Sequence, residues 1–305
     1  MANNANLRDT GERMIPKYHK GHLVYGEHIV RYEVALQLVR GKKVLDIASG
    51  SGYGSSILSR LAESVVGVDI NKDSVIYSND NYASSNTKFI EGDAESIPLG
   101  DKQVDVVVCF ETIEHVKNYR KFLSEIRRVL KDDGMLVLST PNDVEFPESN
   151  KFHLHEFKRD EIVGLVKKYF HYVKLYYQGA WLYSAIFDQG PLSSEWLKQI
   201  DTLNTAPIKP DESVYFLLVC SNKTLKQKVR SLAAISEHWS ARKHEDYEES
   251  VRRHIDEQAK IIEHLKNRAE SAERRSAELE KTINSHTVAK LKLYTKRMLR
   301  RSLDK

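Results

Sequence analysis

Up to Asn222 the apolar residues switch repeatedly between two spacings. Val24, His28, Ile29, Tyr32, Ala35, Leu36 and Val39 share one helical face, and Gly41 ends that helix. Lys43–Ile47 is a short apolar run that stops at small residues, and Ile57, Leu58 and Leu61 form the next helical stripe. Val65–Ile70, Phe89–Ile90, Val104–Phe110 and Met135–Ser139 are further runs of strand length, the last halted by Pro141. Between the last two, Tyr119, Phe122, Leu123, Ile126 and Leu130 recur at helical spacing. Such alternation predicts an α/β fold with a parallel sheet covered on both faces.

Past Pro141 the rhythm changes. Ile162, Val166, Tyr169 and Phe170 predict one more helix, and Tyr172–Tyr177 and Val214–Cys220 two more strands. Between those strands, Gly179, Gly190, Pro191, Pro207 and Pro210 mark an irregular insertion. Residues 1–20 are polar with no clear period. Beyond Asn222 there is neither Gly nor Pro. There Ile255, Ile262, Ala269, Ser276 and Ile283 recur every seven residues, with Val251, Gln258, Leu265, Ala272 and Leu279 at the complementary position. That seam predicts a long helix with a coiled coil over about 251–283, hence a homo-oligomer. A single solvated helix is the alternative reading of its charged flanks. The chain therefore divides into an N-terminal lid segment (1–24), an α/β domain (25–222) and a helical tail (223–305).

Composition sharpens this division. The chain has 305 residues and a net charge of +4, with 41% hydrophobic and 30% charged residues. The tail alone carries 21 basic and 13 acidic residues, whereas residues 1–222 carry 26 and 30, so the two parts have opposite sign. Lys290–Arg301 holds six basic residues and no acidic one, and Leu291, Tyr294 and Met298 can share a helical face. A basic amphipathic end suits an anionic membrane surface, a solvated charged terminus being the plainer alternative. It also suits nucleic acid phosphates, but no recognition motif accompanies the charge, so nucleic acid is not the expected partner. The two cysteines, Cys109 and Cys220, sit in apolar runs and read as buried reduced thiols. No secretory signal or membrane-spanning run is evident, which points to a cytoplasmic protein, at most peripheral at the inner face of the membrane.

The densest chemistry lies in Val44-Leu45-Asp46-Ile47-Ala48-Ser49-Gly50-Ser51-Gly52-Tyr53-Gly54. A buried strand runs into a turn of small residues and then a helix, so backbone can approach a ligand closely and helix N–H groups can face an anion. Asp69 follows Asp46 by 23 residues and ends the second strand, where an acid can accept both hydroxyls of a ribose.

These residues resemble the first two motifs of class I S-adenosylmethionine-dependent methyltransferases, the type 11 and ubiquinone-pathway-like branch in particular. Phe89-Ile90-Glu91-Gly92-Asp93-Ala94 is similar to the third motif of that family, Val106–Val116 to the fourth, and Gly134–Asn142 to the fifth. The departure is Ala48, where the family usually has glycine. The resemblance implies a Rossmann-like seven-stranded sheet with an antiparallel last strand, and S-adenosylmethionine as cofactor. It implies that Asp46, Ala48, Gly50 and Gly52 surround the methionyl end. Asp69 would hold the ribose and Asp93 and Ala94 would frame the adenine, with Ile70 and Phe110 also among the cofactor-binding residues. Gly11–Pro16 and Glu27–Tyr32 further resemble methyltransferases associated with bacterial surface-glycan assembly, in which this segment folds over the cofactor. Arg13, Arg31 or Tyr32 would then touch the methionine carboxylate or the acceptor, unless the helix is an ordinary amphipathic one.

A sulfonium methyl is already activated, so a hydroxyl acceptor needs alignment and a base. The candidate bases are His115, after the fourth strand, and His153 and His155, which alternation puts on one side of an extended segment. Capping, packing or surface-loop roles compete with each. Glu111, Glu114 and His115 also resemble the Glu-x-x-Glu-His pattern of ubiquinone-pathway O-methyltransferases, where a divalent cation is implicated. They are thus the candidate Mg²⁺ ligands, but relatives carry the pattern without a metal, and none is expected here. The favoured reaction is methyl transfer to a hydroxyl of a sugar in a polysaccharide or lipid-linked glycan. Alternatives are a quinone precursor or small phenol as acceptor, or a catalytically decayed methyltransferase-fold scaffold oligomerised by its coiled coil.

Overall fold

The structure is a computed structural model, and it describes residues 7–8, 13–20, 22–142, 153–180, 213–225, 229–232 and 241–303. Within the last helix, side chains are described for 260–286, 288–293 and 295–296. The insertion glycine and prolines from Gly190 to Pro210 lie outside the described residues, as do the side chains of Val251, Ile255, Gln258, Tyr294 and Met298. Two compact units are present, Met1–Trp239 and Ser240–Lys305.

In the first unit, the elements run α1 (Pro16–His19), α2 (Leu23–Leu36), β1 (Lys43–Ile47), α3 (Tyr53–Ser59), β2 (Ser64–Asp69), α4 (Lys72–Tyr82) and β3 (Thr87–Glu91). Then follow β4 (Val104–Phe110), α5 (Tyr119–Val129), β5 (Leu130–Pro141), α6 (Arg159–Val166), β6 (Tyr172–Gln178) and β7 (Tyr215–Ser221). The seven strands form one sheet in the order β3-β2-β1-β4-β5-β7-β6. β1 to β5 are parallel, and β7 is antiparallel to both β5 and β6. This is the Rossmann-like class I methyltransferase sheet that the sequence predicts.

Strand alternation sends side chains to two cores. Val107 and Cys109 of β4 face one layer with Phe122, Leu123 and Ile126 of α5 and Ile162 of α6. Val106, Val108 and Phe110 face the other, with Tyr32 and Ala35 of α2 and Leu58 of α3. Burial pushes the thiols of Cys109 and Cys220 up, and both are free, as expected. The N-terminal segment packs onto this unit: Met14 belongs to the second core, and Leu7 and Ile15 are buried with Tyr77. At the other end the unit runs past Asn222, for Leu225 and Val229 pack against the second core and Arg230 N–H donates to Gln37 Oε1 at 2.9 Å.

Helix starts follow local capping. Asn71 Oδ1 accepts Ser74 N–H at 2.9 Å at the head of α4, and Asn118 Oδ1 accepts Lys121 N–H at 3.0 Å at the head of α5. The second unit is a single helix, α7 (Ala241–Leu303), of 63 residues. Among the described residues no helix is long and apolar enough to cross a membrane.

Candidate active site

The parallel strands end together at one edge of the sheet, and the predicted cofactor residues collect there. The turn after β1 takes left-handed backbone at three positions, with φ of 57° at Ala48, 55° at Gly50 and 85° at Gly52. Glycine accepts this region freely, whereas an L-residue with a Cβ is strained there. Ala48 is exposed, so only its methyl group enters the space before the turn. Gly52 starts α3 and has Ser78 Oγ 2.6 Å from where a Cβ would sit. The turn is pinned from behind, as Ser78 Oγ donates to Gly50 O at 3.2 Å and Ser51 Oγ to Met14 O at 2.9 Å.

Asp69 joins the first two motifs directly. Its carboxylate accepts Gly50 N–H and Asn71 N–H, each at 2.8 Å, and it stays 8% exposed at the end of β2. The neighbouring Ile70 is 71% exposed. Asp93 accepts Glu95 N–H at 2.8 Å in an exposed turn, and Ala94 packs against the first core. The turn, Asp69 and Asp93 therefore lie along the ends of β1, β2 and β3, in the order that a nucleoside's parts require.

Asp46 lies on β1, directly before the turn. It is fully buried and accepts Ser55 Oγ at 2.6 Å and Tyr32 Oη at 3.2 Å. Burial pushes its carboxyl up to about 7, against the lowering effect of the Ser55 and Tyr32 hydrogen bonds. Tyr32 is the lid over it: the ring packs edge-on against Phe110 at 4.9 Å and Tyr53 at 5.4 Å. Its Cζ lies 1.9 Å from where a Cβ on Gly54 would be, so only glycine lets the ring reach Asp46.

Beside Tyr32, Arg31 is 1% exposed and crosses to the β6–β7 hairpin. Nη1 donates to Gln178 Oε1 at 3.1 Å, and the guanidinium lies 4.4 Å over the Tyr215 ring. Burial alone would lower its proton affinity, but Glu111, Tyr215, Tyr53 and Glu27 hold it above the ordinary range. Its Nε and Nη2 have no partner among the described residues. Two orphaned donors on a buried cation are a costly arrangement that a carboxylate would complete. Periodicity treats Arg31 as a helix-face residue and gave no sign of this.

The candidate bases gather at the ends of β4 and β5. Glu114 O accepts Leu154 N–H at 2.8 Å and His155 N–H at 3.2 Å, which fixes the 153–156 segment against the β4 turn. His115 and His153 then meet edge-on, with ring centroids 4.8 Å apart. His153 Nδ1 is 2.6 Å from Glu156 Oε1, and both side chains are nearly buried. His155 turns away: its Nε2 is 2.7 Å from Glu161 Oε1, in a half-exposed pair. Alternation grouped the two histidines, but the segment is not an extended strand, and they separate.

Glu111 and Glu114 also separate. Glu111 takes positive φ (50°) and accepts Ser139 Oγ at 2.7 Å, near Arg31. Glu114 is fully buried and accepts Thr140 Oγ1 at 3.1 Å, with its other oxygen unpartnered among the described residues. Burial, and then the charge of Glu111, push its carboxyl well above the usual range. The group that can converge is Glu114, His115 and His153, whose donor atoms lie within 4.8 Å of one another. Two imidazoles and one carboxylate do not fit Mg²⁺, which takes oxygen ligands.

The strand order is that of the class I methyltransferase fold. Residues 45–138 match the model of the methyltransferase domain, and S-adenosylmethionine is the cofactor that this similarity implies. A probable S-adenosylmethionine-dependent methyltransferase of Mycobacterium tuberculosis is 32% identical over 170 residues, 54% of this chain and 61% of that protein. The fatty-acid O-methyltransferase of Mycolicibacterium smegmatis is 33% identical over 98 residues, 32% of this chain and 36% of that protein. The chain thus spans less than two thirds of the length of these relatives. A solved structure from Pyrococcus horikoshii is 22% identical, with a TM-score of 0.48 over 71% of this chain and all of that one.

Proposed function

We propose that this chain transfers a methyl group from S-adenosylmethionine to a hydroxyl, and that the acceptor is a sugar of a polysaccharide or lipid-linked glycan. The observation that carries the donor half is Asp69, held by Gly50 N–H where the ribose hydroxyls of a nucleoside would meet it. Arg31 supports it, since its orphaned Nε and Nη2 suit the methionyl carboxylate. The bound cofactor supplies a methyl group on a positively charged sulfur, which departs as a neutral thioether.

The chain's residues do the rest. Ala48, Gly50 and Gly52 let the backbone lie close to the donor, and Tyr32 with Phe110 closes the apolar side. His153 takes the proton of the acceptor hydroxyl as oxygen bonds to the methyl carbon and the carbon–sulfur bond breaks. Glu156 holds the His153 ring and stabilises the imidazolium that results. This pair supports oxygen as the acceptor atom, because a neutral amine would need no base. The similarity to a fatty-acid O-methyltransferase agrees with oxygen. The choice of a sugar rests on the resemblance of Gly11–Pro16 and Glu27–Tyr32 to glycan-assembly methyltransferases.

Calorimetric titration with S-adenosylmethionine and S-adenosylhomocysteine, alongside Asp69→Ala, tests the donor site. Micromolar binding that the variant loses supports it, and no binding of either ligand overturns it. Glycan and phenol acceptors then compete in a turnover assay, and turnover of phenols alone would reject the sugar.

A further inference from the structure

The seam of α7 ends in charges that fix how two helices can meet. Every described side chain from 260 to 286 is exposed. That includes Ile262, Leu265, Leu279 and Ile283, each between 53% and 63% exposed. Tertiary packing supplies most helical stability in proteins, and among the described residues this stretch buries no side chain. Ile262 and Ile283 occupy the first core position of the heptad, and Leu265 and Leu279 the second. Between them Ala269, Ala272 and Ser276 form small layers that allow close approach. β-Branched residues at the first position with leucine at the second favour two strands over three or four.

The flanking positions carry the direction. Arg268 and Arg275 precede the first core position of their heptads, and Glu273 and Glu280 follow the second. Each arginine is five residues before its glutamate, too far round one helix for the pair to meet. In two parallel helices in register, those positions face each other across the seam. Arg268 then meets the partner copy's glutamate at 273, and Arg275 the one at 280, on both sides of the dimer. An antiparallel arrangement sets like flanking positions together, arginine near arginine and glutamate near glutamate. By contrast Arg274 points outward and pairs within its own helix, 3.8 Å from Glu270.

We infer that residues 262–283 are a docking surface for a second copy of this chain, forming a parallel, in-register two-stranded coiled coil. The whole 305-residue chain is tested. Light scattering gives the mass of two chains. Ile262→Cys and Ile283→Cys, prepared separately, each form a covalent dimer in a glutathione redox buffer. The charge-reversed variant Arg268→Glu/Arg275→Glu dissociates on the order of a hundredfold more readily in sedimentation, and adding Glu273→Arg/Glu280→Arg restores the original affinity. A mass of one or three chains overturns the inference. So do cross-links that form only when the two cysteine variants are mixed, or an affinity indifferent to charge reversal.

Discussion

Gly50 donates its backbone N–H to the carboxylate of Asp69 at 2.8 Å, so the turn after β1 and the end of β2 share one charge. Asp69→Asn keeps an oxygen for that N–H but removes the charge that two ribose hydroxyls would face. S-Adenosylmethionine affinity is expected to fall roughly tenfold or more, with little change in melting temperature. Equal affinity for both proteins in calorimetry would remove Asp69 from the donor site.

Arg31→Lys keeps a positive charge and loses the paired donors Nε and Nη2. If those donors hold the methionyl carboxylate, binding of S-adenosylhomocysteine weakens by roughly ten- to a hundredfold. Methylthioadenosine, which lacks the carboxylate, binds the variant as it binds the parent. Equal weakening for both ligands would assign Arg31 to the fold, through Gln178 and Tyr215.

Gly54→Ala puts a methyl group 1.9 Å from Tyr32 Cζ. The ring is held by Asp46, Tyr53 and Phe110, so it has no free direction in which to move. A loss of about 1–3 kcal/mol in denaturant unfolding is expected. Pairing the change with Tyr32→Ala recovers part of that loss, because the clash goes with the ring.

Asp46 gives the stability a pH dependence. Its carboxyl is raised from 3.8 unfolded to about 7 folded, so the native state holds the proton longer. The contribution is fully present below about pH 4 and is lost as pH rises through about 7. Asp46→Asn removes this term, so its melting temperature relative to the parent rises across that window and levels off above it. A constant difference at all pH values would show that Asp46 ionises normally.

For the acceptor half, His153→Ala lowers turnover by about 10²–10⁴-fold, and Glu156→Gln by less, while donor affinity stays unchanged. A His153→Ala enzyme with full turnover would place the base elsewhere, His115 being next to it.

Much of the fold is legible in the sequence, since buried parallel strands are short apolar runs. β4 spans Val104–Phe110 and β1 Lys43–Ile47, as the runs predict. α4 escapes that reading because its buried face is Ser74, Tyr77 and Ser78, residues that hydropathy scores as polar. The N-terminal segment escapes for a related reason: Leu7, Met14 and Ile15 are too far apart to show a period, yet each is buried. In the site, the small-residue turn and Asp69 announce themselves by spacing. The depth of Asp46 under Tyr32, and the crossing of Arg31 to Gln178, 147 positions away in the chain, depend on tertiary packing and leave no local trace.

The antiparallel β7 has a consequence for how such a protein can change. Pro141 pairs with Tyr215, and Gln178 pairs with the same residue, so β5, β6 and β7 open onto one rim. The stretches joining β5 to α6 and β6 to β7 are tethered there by both ends. The small-residue turn, Asp69 and Asp93 follow β1, β2 and β3, on the other half of the sheet. Neither stretch interrupts β1, β2 or β3, so a change of length in either leaves the spacing of the small-residue turn, Asp69 and Asp93 as it is. Insertions and deletions in these two joins would then reshape the surroundings of the proposed acceptor while the donor motifs keep their spacing.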